Sequence, residues 1–280
     1  MAGAHTTLCI SVAKRPGSFG ITVHNAGYQA LGLDYLYKAY GATEIAPIIS
    51  AVRTLGIRGC SVSMPFKIDV MAHLDTIDPT ALSVGAVNTV VNEGGQLKGQ
   101  LKGYNTDATG FRAAWEALQV PTTAPIVVLG AGGMARAVVW ALHSTGHTQV
   151  TVAGRRPEEA TRLAARYGFA TCGWEARMQH TAQVLINATP IGMAPDVTET
   201  PVNLSSMPTL THVVDVVATP PATTLIGQAK AAGLATLSGF EITMEQACHQ
   251  FTLYTGQPAP RAAMEAAAAA LVSPAAKSPA

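Results

Sequence analysis

The chain has 280 residues, 48% hydrophobic and only 12% charged, with a formal net charge of +1. That length suits one large or two medium domains with sizeable cores, and the near-neutral balance without Lys/Arg runs argues against a nucleic-acid partner. Four scattered cysteines with no C-x-x-C pattern, no apolar run of membrane-spanning length and no secretory h-region predict a cytoplasmic chain with reduced thiols and no membrane partner.

From the N-terminus, β-rich apolar runs alternate with helical patterns. Residues 6–12 read as a strand, 23–31 as a helix, 34–40 as a strand and 44–55 as a helix. Residues 60–63 read as a short buried strand, and 66–74 as a helix behind Pro65. Such alternation predicts a parallel sheet covered by helices, an α/β class. Residues 86–91 and 100–104 read as a hairpin around Glu93-Gly94-Gly95. A tandem repeat, Gly95-Gln-Leu-Lys98 then Gly99-Gln-Leu-Lys102, sits there. An even insertion preserves which side chains face the core, so it reads as a neutral lengthening of an exposed turn. A helix follows at 108–118.

A second α/β unit begins after the 121–125 linker. Its strands read as 126–129, 149–153, 183–187, 212–217 and 235–237, with helices at 132–144 and 158–167. Beyond Gly239 the chain reads as helical at 244–254 and 262–271, and residues 273–280 as a frayed tail. A closing helical segment of this kind folds back on the first domain. The expected division is 1–107 with 241–280 as a discontinuous substrate domain and 108–240 as a Rossmann-type dinucleotide-binding domain.

The stretch Ile126-Val-Val-Leu-Gly130-Ala131-Gly132-Gly133-Met134-Ala135 combines an apolar strand, a glycine turn and a helix start. Gly130 permits the turn, Gly132 lets backbone approach a pyrophosphate, and Ala135 allows close helix–strand packing. The helix N-terminus then offers free N–H groups to phosphate. About 25 residues after Gly130, where an NAD-binding unit usually places an acid for the ribose, stand Arg155 and Arg156. Two guanidinium groups and no carboxylate suit a 2′-phosphate, so NADP is the expected cofactor; the alternative is a pair of solvated arginines. Thr189, Val217 and Gly239 stand at or just past the ends of later strands and are expected to complete this site. Gly239 either approaches the nicotinamide with bare backbone or makes a turn. No metal site is expected.

Three polar positions stand at strand or loop ends of the first domain: Lys67 in Ser61-Val-Ser63-Met-Pro65-Phe-Lys67, Asn88 in Ala86-Val-Asn88-Thr89, and Asp107 in Gly103-Tyr-Asn-Thr-Asp107. Taken singly, Lys67 reads equally as a solvated lysine, Asn88 as a turn residue, and Asp107 as the N-cap of the 108–118 helix. Together with the glycine loop and with Gly239 to Ala247 followed by Thr255-Gly256, the series resembles shikimate dehydrogenases, in order, from about residue 18 to 256.

That resemblance implies two domains separated by an active-site cleft, a small ring-carboxylate substrate, and a Lys67–Asp107 catalytic pair. It also implies Asn88 as a substrate-hydroxyl ligand, Gln246 as a substrate contact, and Ser63 in place of the family's usual threonine. Ser18 corresponds to the first of two serines that hold the substrate carboxylate. The chemistry agrees: oxidising a secondary alcohol by hydride transfer requires one positioned group to remove the hydroxyl proton, and the reverse reaction to return it. A lysine beside an oxidised nicotinamide is expected to have a lowered pKa.

Two positions depart from the family's pattern. Gly20 replaces the second serine and Ala218 replaces a tyrosine, and each lost hydroxyl is worth roughly 1 kcal/mol; Thr22 offers a nearby replacement. The implied activity is NADP-linked oxidation of shikimate to 3-dehydroshikimate in a divergent member of the family, a monomer or homodimer. The rivals are oxidation of quinate or a related cyclitol carboxylate, and an NADP(H)-binding sensor with vestigial activity.

Overall fold

The computed structural model describes residues 3–93, 99–179 and 181–272. The hairpin turn, the first copy of the tandem repeat and the 273–280 tail lie outside the described residues. The chain folds into two compact units, Met1–Thr106 with Gln246–Ala280, and Asp107–Glu245.

The first unit is built on a six-stranded mixed sheet. Its strands are β1 (Thr7–Ala13), β2 (Tyr35–Gly41), β3 (Gly59–Val62), β4 (Thr76–Ile77), β5 (Thr89–Asn92) and β6 (Leu101–Tyr104), in the order β2-β1-β3-β5-β6-β4. The crossover strands β1, β2 and β3 pair in parallel, as the alternation predicts. The sheet is not parallel throughout, because β5 runs antiparallel to both β3 and β6. Ile10, Val12, Cys60, Val62, Val90 and Leu101 carry its core against Ile49 and Val52 of a helix over Ala46–Thr54.

Helix α1 (Phe19–Ala30) starts four residues earlier than the periodicity suggests, with Ser18 at its N-cap, and α2 is the Ala46–Thr54 helix. The predicted 66–74 helix is instead a turn followed by a 3-10 segment, Asp69–His73, in which only Val70 is buried. One buried position supplies no apolar face to sustain a longer helix. The short helix α3 (Pro79–Val84) is not foreseen by the sequence reading, although Asp78 caps it by accepting from the Thr80 N–H at 2.9 Å and Gly85 ends it at φ 74°.

His24 of α1 lies in the core of this unit, 1% exposed, with its ring stacked on Tyr37 at 4.4 Å and 11°. Burial holds its pKa down to about 4 from 6.5, only partly opposed by a hydrogen bond with Gln250. Between those values the unfolded chain binds a proton that the folded chain refuses, so stability rises with pH across that window. Acidification from pH 6.5 to 4 is therefore expected to remove on the order of 3 kcal/mol through this residue alone. Denaturant titrations of His24→Phe should show a flatter pH profile than the wild type over that window; identical slopes would mean His24 does not set it.

The second unit carries an all-parallel sheet of β7 (Ile126–Leu129), β8 (Val150–Gly154), β9 (Ala170–Gly173), β10 (Val184–Asn187), β11 (His212–Asp215) and β12 (Ala235–Leu237). The order is β12-β11-β10-β7-β8-β9. This is the doubly wound dinucleotide-binding arrangement, with the strand order reversing between β7 and β10, where such sheets bind ligands. The central strands are runs of Val, Ile and Leu because both faces are covered. In β7, Ile126 and Val128 join one core cluster while Val127 and Leu129 join the other.

Helix α4 (Thr106–Ala117) opens the unit, α5 (Gly133–Ser144) follows β7, and α6 (Pro157–Ala165) follows β8. Strand β9 and helix α7 (Thr224–Ala231) are further additions to the sequence reading. β9 is largely exposed and lacks an apolar pattern, whereas α7 has a recognisable cap in Thr223, whose hydroxyl accepts from the Ile226 N–H. Helix α8 (Gly239–Thr255) starts five residues earlier than predicted, and α9 (Arg261–Val272) closes the chain, its side packing on α1. No helix among the described residues is long and apolar enough to cross a membrane.

Candidate active site

In the second unit, Gly130 ends β7 at φ 114°, where an added Cβ would lie 2.7 Å from the Ala188 carbonyl oxygen. Only glycine makes that turn without strain. Gly132 is the N-cap of α5, and Gly133 and Met134 are its first two residues, so the unsatisfied N–H groups of a twelve-residue helix start here. Gly130, Ala131, Gly132, Arg155, Arg156 and Thr189 all line one groove of about 240 Å³.

The two arginines differ. Arg156 reaches Glu159 at 2.7 Å and leaves 71% of its side chain in solvent. Arg155 has no ion-pair or hydrogen-bond partner among the described residues. Trp174 also lines the groove, with the Arg177 guanidinium 4.4 Å from its ring centroid. Sequence reasoning missed Trp174, since it follows a strand that carries no apolar pattern.

Thr189 is held by the end of β10. Its N–H and hydroxyl both donate to Asn187 Oδ1, at 3.1 and 2.7 Å, while Asn187 Nδ2 donates to Asp215 Oδ1 at 3.0 Å. Burial pushes the Asp215 carboxyl up, and hydrogen bonds from Thr223, Val217 and Asn187 oppose that shift. These bonds tie the carboxyl ends of β10 and β11 together. Val217 and Gly239 do not line the groove; they press on each other. A Cβ on Gly239 would lie 2.3 Å from the Val217 carbonyl, so glycine is required there by the chain's own backbone.

This donor set fits a dinucleotide phosphate: bare glycine backbone and a helix N-terminus for the pyrophosphate, and an unpaired guanidinium where a ribose-binding carboxylate usually stands.

In the first unit, a cavity of about 180 Å³ is lined by Ser63, Gln246, Ser61, Tyr37, His24 and Arg15, among others. It is smaller than the ~300–1,000 Å³ typical of drug-sized ligands, which favours a small one. Of the predicted substrate residues, Ser63 and Gln246 meet here. Ser18 is exposed at the start of α1 and does not line the cavity, and neither does Thr22.

Asn88 is 2% exposed. Its Oδ1 accepts from the Thr106 N–H at 2.7 Å, the Thr106 hydroxyl at 3.0 Å and the Thr89 hydroxyl at 2.8 Å. That orientation leaves the Nδ2 donor for another group. Gln250, which sequence reasoning missed, donates from Nε2 to Thr89 Oγ1 at 2.8 Å and to Ser61 Oγ at 3.2 Å. Its spacing of four from Gln246 on α8 is the available signal.

The Asn88 bonds also correct the reading of Asp107 as a cap. Helix α4 begins at Thr106, so Asp107 lies within the first turn, and the Asn88 carboxamide receives the Thr106 N–H instead. Lys67 belongs to the first unit, in the turn after β3, where its carbonyl accepts from the Val87 N–H at 2.8 Å. Asp107 belongs to the second.

Known proteins match this arrangement along its length. A model described as the shikimate dehydrogenase substrate binding domain matches residues 16–90, and one for the shikimate 5'-dehydrogenase C-terminal domain matches 239–269. Residues 125–219 match a model described as NADP oxidoreductase coenzyme F420-dependent. A shikimate dehydrogenase-like protein of Haemophilus influenzae is 40% identical over 271 residues, covering 96% of this chain and 98% of the relative. The chain belongs to the shikimate dehydrogenase family.

Two solved structures bear on ligands. A Thermus thermophilus shikimate 5-dehydrogenase in complex with NADP(H) and shikimate has a TM-score of 0.84 at 33% identity, over 94% of this chain and 98% of that one. A Corynebacterium glutamicum quinate dehydrogenase in complex with NAD has a TM-score of 0.87 at 28% identity, over 95% and 99%. Gly20 lines the first-unit cavity, and Ala218 does not.

Proposed function

We propose that this chain catalyses the reversible NADP-linked oxidation of shikimate to 3-dehydroshikimate. The observation that carries the proposal is the charge of the first-unit cavity. It is lined by hydroxyls and carboxamides, contains no Asp or Glu among the described residues, and has Arg15 as its permanent cation. Such a lining suits a small polyhydroxylated monoanion. The glycine groove with its unpaired Arg155 suits NADP.

When bound, NADP supplies the hydride acceptor for oxidation, and NADPH the donor for the reverse direction. Everything else falls to the chain's own residues. In this reading Lys67 Nζ takes the proton from the reacting hydroxyl and returns it in the reverse reaction. The Asp107 carboxylate orients that ammonium and accepts a hydrogen bond from a neighbouring ring hydroxyl. Asn88 donates from Nδ2 to a ring hydroxyl, its Oδ1 being committed elsewhere. Gln246 offers its carboxamide from α8; its contact with Thr106 is long, 3.5 Å, so it is available to a ligand.

Quinate is the second substrate reading, favoured by the likeness to a quinate dehydrogenase and by the altered Gly20 position. The test is initial rate with shikimate and with quinate, each with NADP and with NAD. Shikimate with NADP should be fastest, by about tenfold or more. Faster oxidation of quinate would move the substrate and keep the chemistry. NADP binding without oxidation of any ring acid would favour the sensor.

A further inference from the structure

Loss of the second serine at position 20 leaves the substrate carboxylate without one of its two usual hydroxyl partners. What stands near that place is a tyrosine. A Cβ built on Gly20 would lie 3.1 Å from Tyr37 Cε1 and 3.3 Å from Tyr37 Oη. The phenol therefore occupies the space next to which a serine side chain would extend.

Tyr37 is well fixed. Asn25 of α1 clamps its backbone on β2, donating to the Tyr37 carbonyl at 2.9 Å and accepting from its N–H at 2.8 Å, and the His24 ring stacks on its face. Gln250 Nε2 donates to Ser61 Oγ at 3.2 Å, and Ser61 and Ser11 line the same cavity as Tyr37. Burial pushes the phenol's pKa up and keeps it protonated, with Ser11 and Ser61 acting in the opposite sense. A protonated phenol that lines the cavity offers its O–H as a donor there.

Arg15 lines the same cavity, is exposed, and has no partner among the described residues. His24 Nδ1, also buried against the cavity, has no hydrogen-bond partner among them either.

We infer that Arg15 and the Tyr37 hydroxyl together hold the substrate carboxylate, taking over from the missing serine. The inference rests on the shikimate reading above and assigns the anion-binding end of that site. It also makes Gly20 a consequence of Tyr37: the glycine clears room for the ring, so restoring a serine at position 20 would crowd Tyr37 without adding grip.

The test is the dissociation constant of shikimate and of its methyl ester for the NADP-saturated protein, by titration calorimetry. The ester keeps the ring hydroxyls and removes the charge. Tyr37→Phe deletes one oxygen and Arg15→Gln one charge at an exposed position, so both variants should fold. Each should weaken shikimate by about tenfold, the low end for a charge-assisted hydrogen bond, and leave the ester within about twofold. Gly20→Ser alone should not tighten shikimate. Wild-type discrimination between acid and ester in both variants would overturn the inference, as would equal losses for acid and ester or a gain from Gly20→Ser. A wild type that oxidises shikimate with any of these results retains the proposed function and loses only this assignment. A wild type that binds neither acid nor ester overturns both.

Discussion

Replacing Lys67 with alanine is expected to lower turnover by roughly 10²–10⁴-fold while folding and NADP affinity stay near wild type. The effect on folding is local. Lys67 sits in a turn anchored through its backbone, the Val87 N–H donating to its carbonyl at 2.8 Å, and that bond survives loss of the side chain. The glycine groove draws all its lining from the second unit, so the cofactor loses no contact there. Asp107→Asn should lose turnover as well, with little change in stability. Asp107→Ala removes the carboxylate altogether and should lose turnover at least as far, while the Thr106 N–H keeps its acceptor in Asn88. Steady-state rates with thermal denaturation of each variant check this. Wild-type turnover in Lys67→Ala would return that residue to the status of a solvated lysine.

Changing Arg155 to serine is expected to weaken NADP by about 10–100-fold and to leave NAD nearly unchanged, since only NADP carries the phosphate that a guanidinium fork would bind. Arg156→Ser should do less. Its guanidinium is already engaged by Glu159 at 2.7 Å and is 71% exposed, so part of any gain from phosphate is offset by the lost ion pair and by solvent screening. The ratio of kcat/KM for NADP over NAD reads this directly. Equal losses for both cofactors in Arg155→Ser would mean that the arginine does not select the phosphate.

What the sequence discloses follows from where the physics is local. The central strands of the second unit are continuous Val/Ile/Leu runs, and the glycine turn at Gly130 is dictated by a backbone approach that no side chain tolerates, so both are legible. Strand β9 is hidden because its residues are mostly exposed and its pairing with β8 is supplied by tertiary context. The start of the helix at Thr106, two residues before the predicted 108, is hidden for a similar reason. The cap comes from Asn88, eighteen residues from Thr106, and no local pattern announces it.

The substrate end is only partly legible. Gly20 is visible as a missing hydroxyl, but the phenol beside it comes from another element, paired in register with β1. Ser18, prominent as a motif residue, is exposed at the head of α1 and stands outside the cavity lining. Gln250 lies one turn beyond Gln246, and its role emerges only from its bonds to Ser61 and Thr89.

The central claim is that a hydride passes between a ring carbon of shikimate and NADP on this protein. Shikimate deuterated at the carbon that becomes the ketone, incubated with wild-type protein and NADP, tests it directly. The account predicts reduced cofactor carrying one deuterium, formed in step with 3-dehydroshikimate, and loss of that product in Lys67→Ala. Tight NADP binding with no deuterium in the cofactor and no ring ketone formed would contradict it.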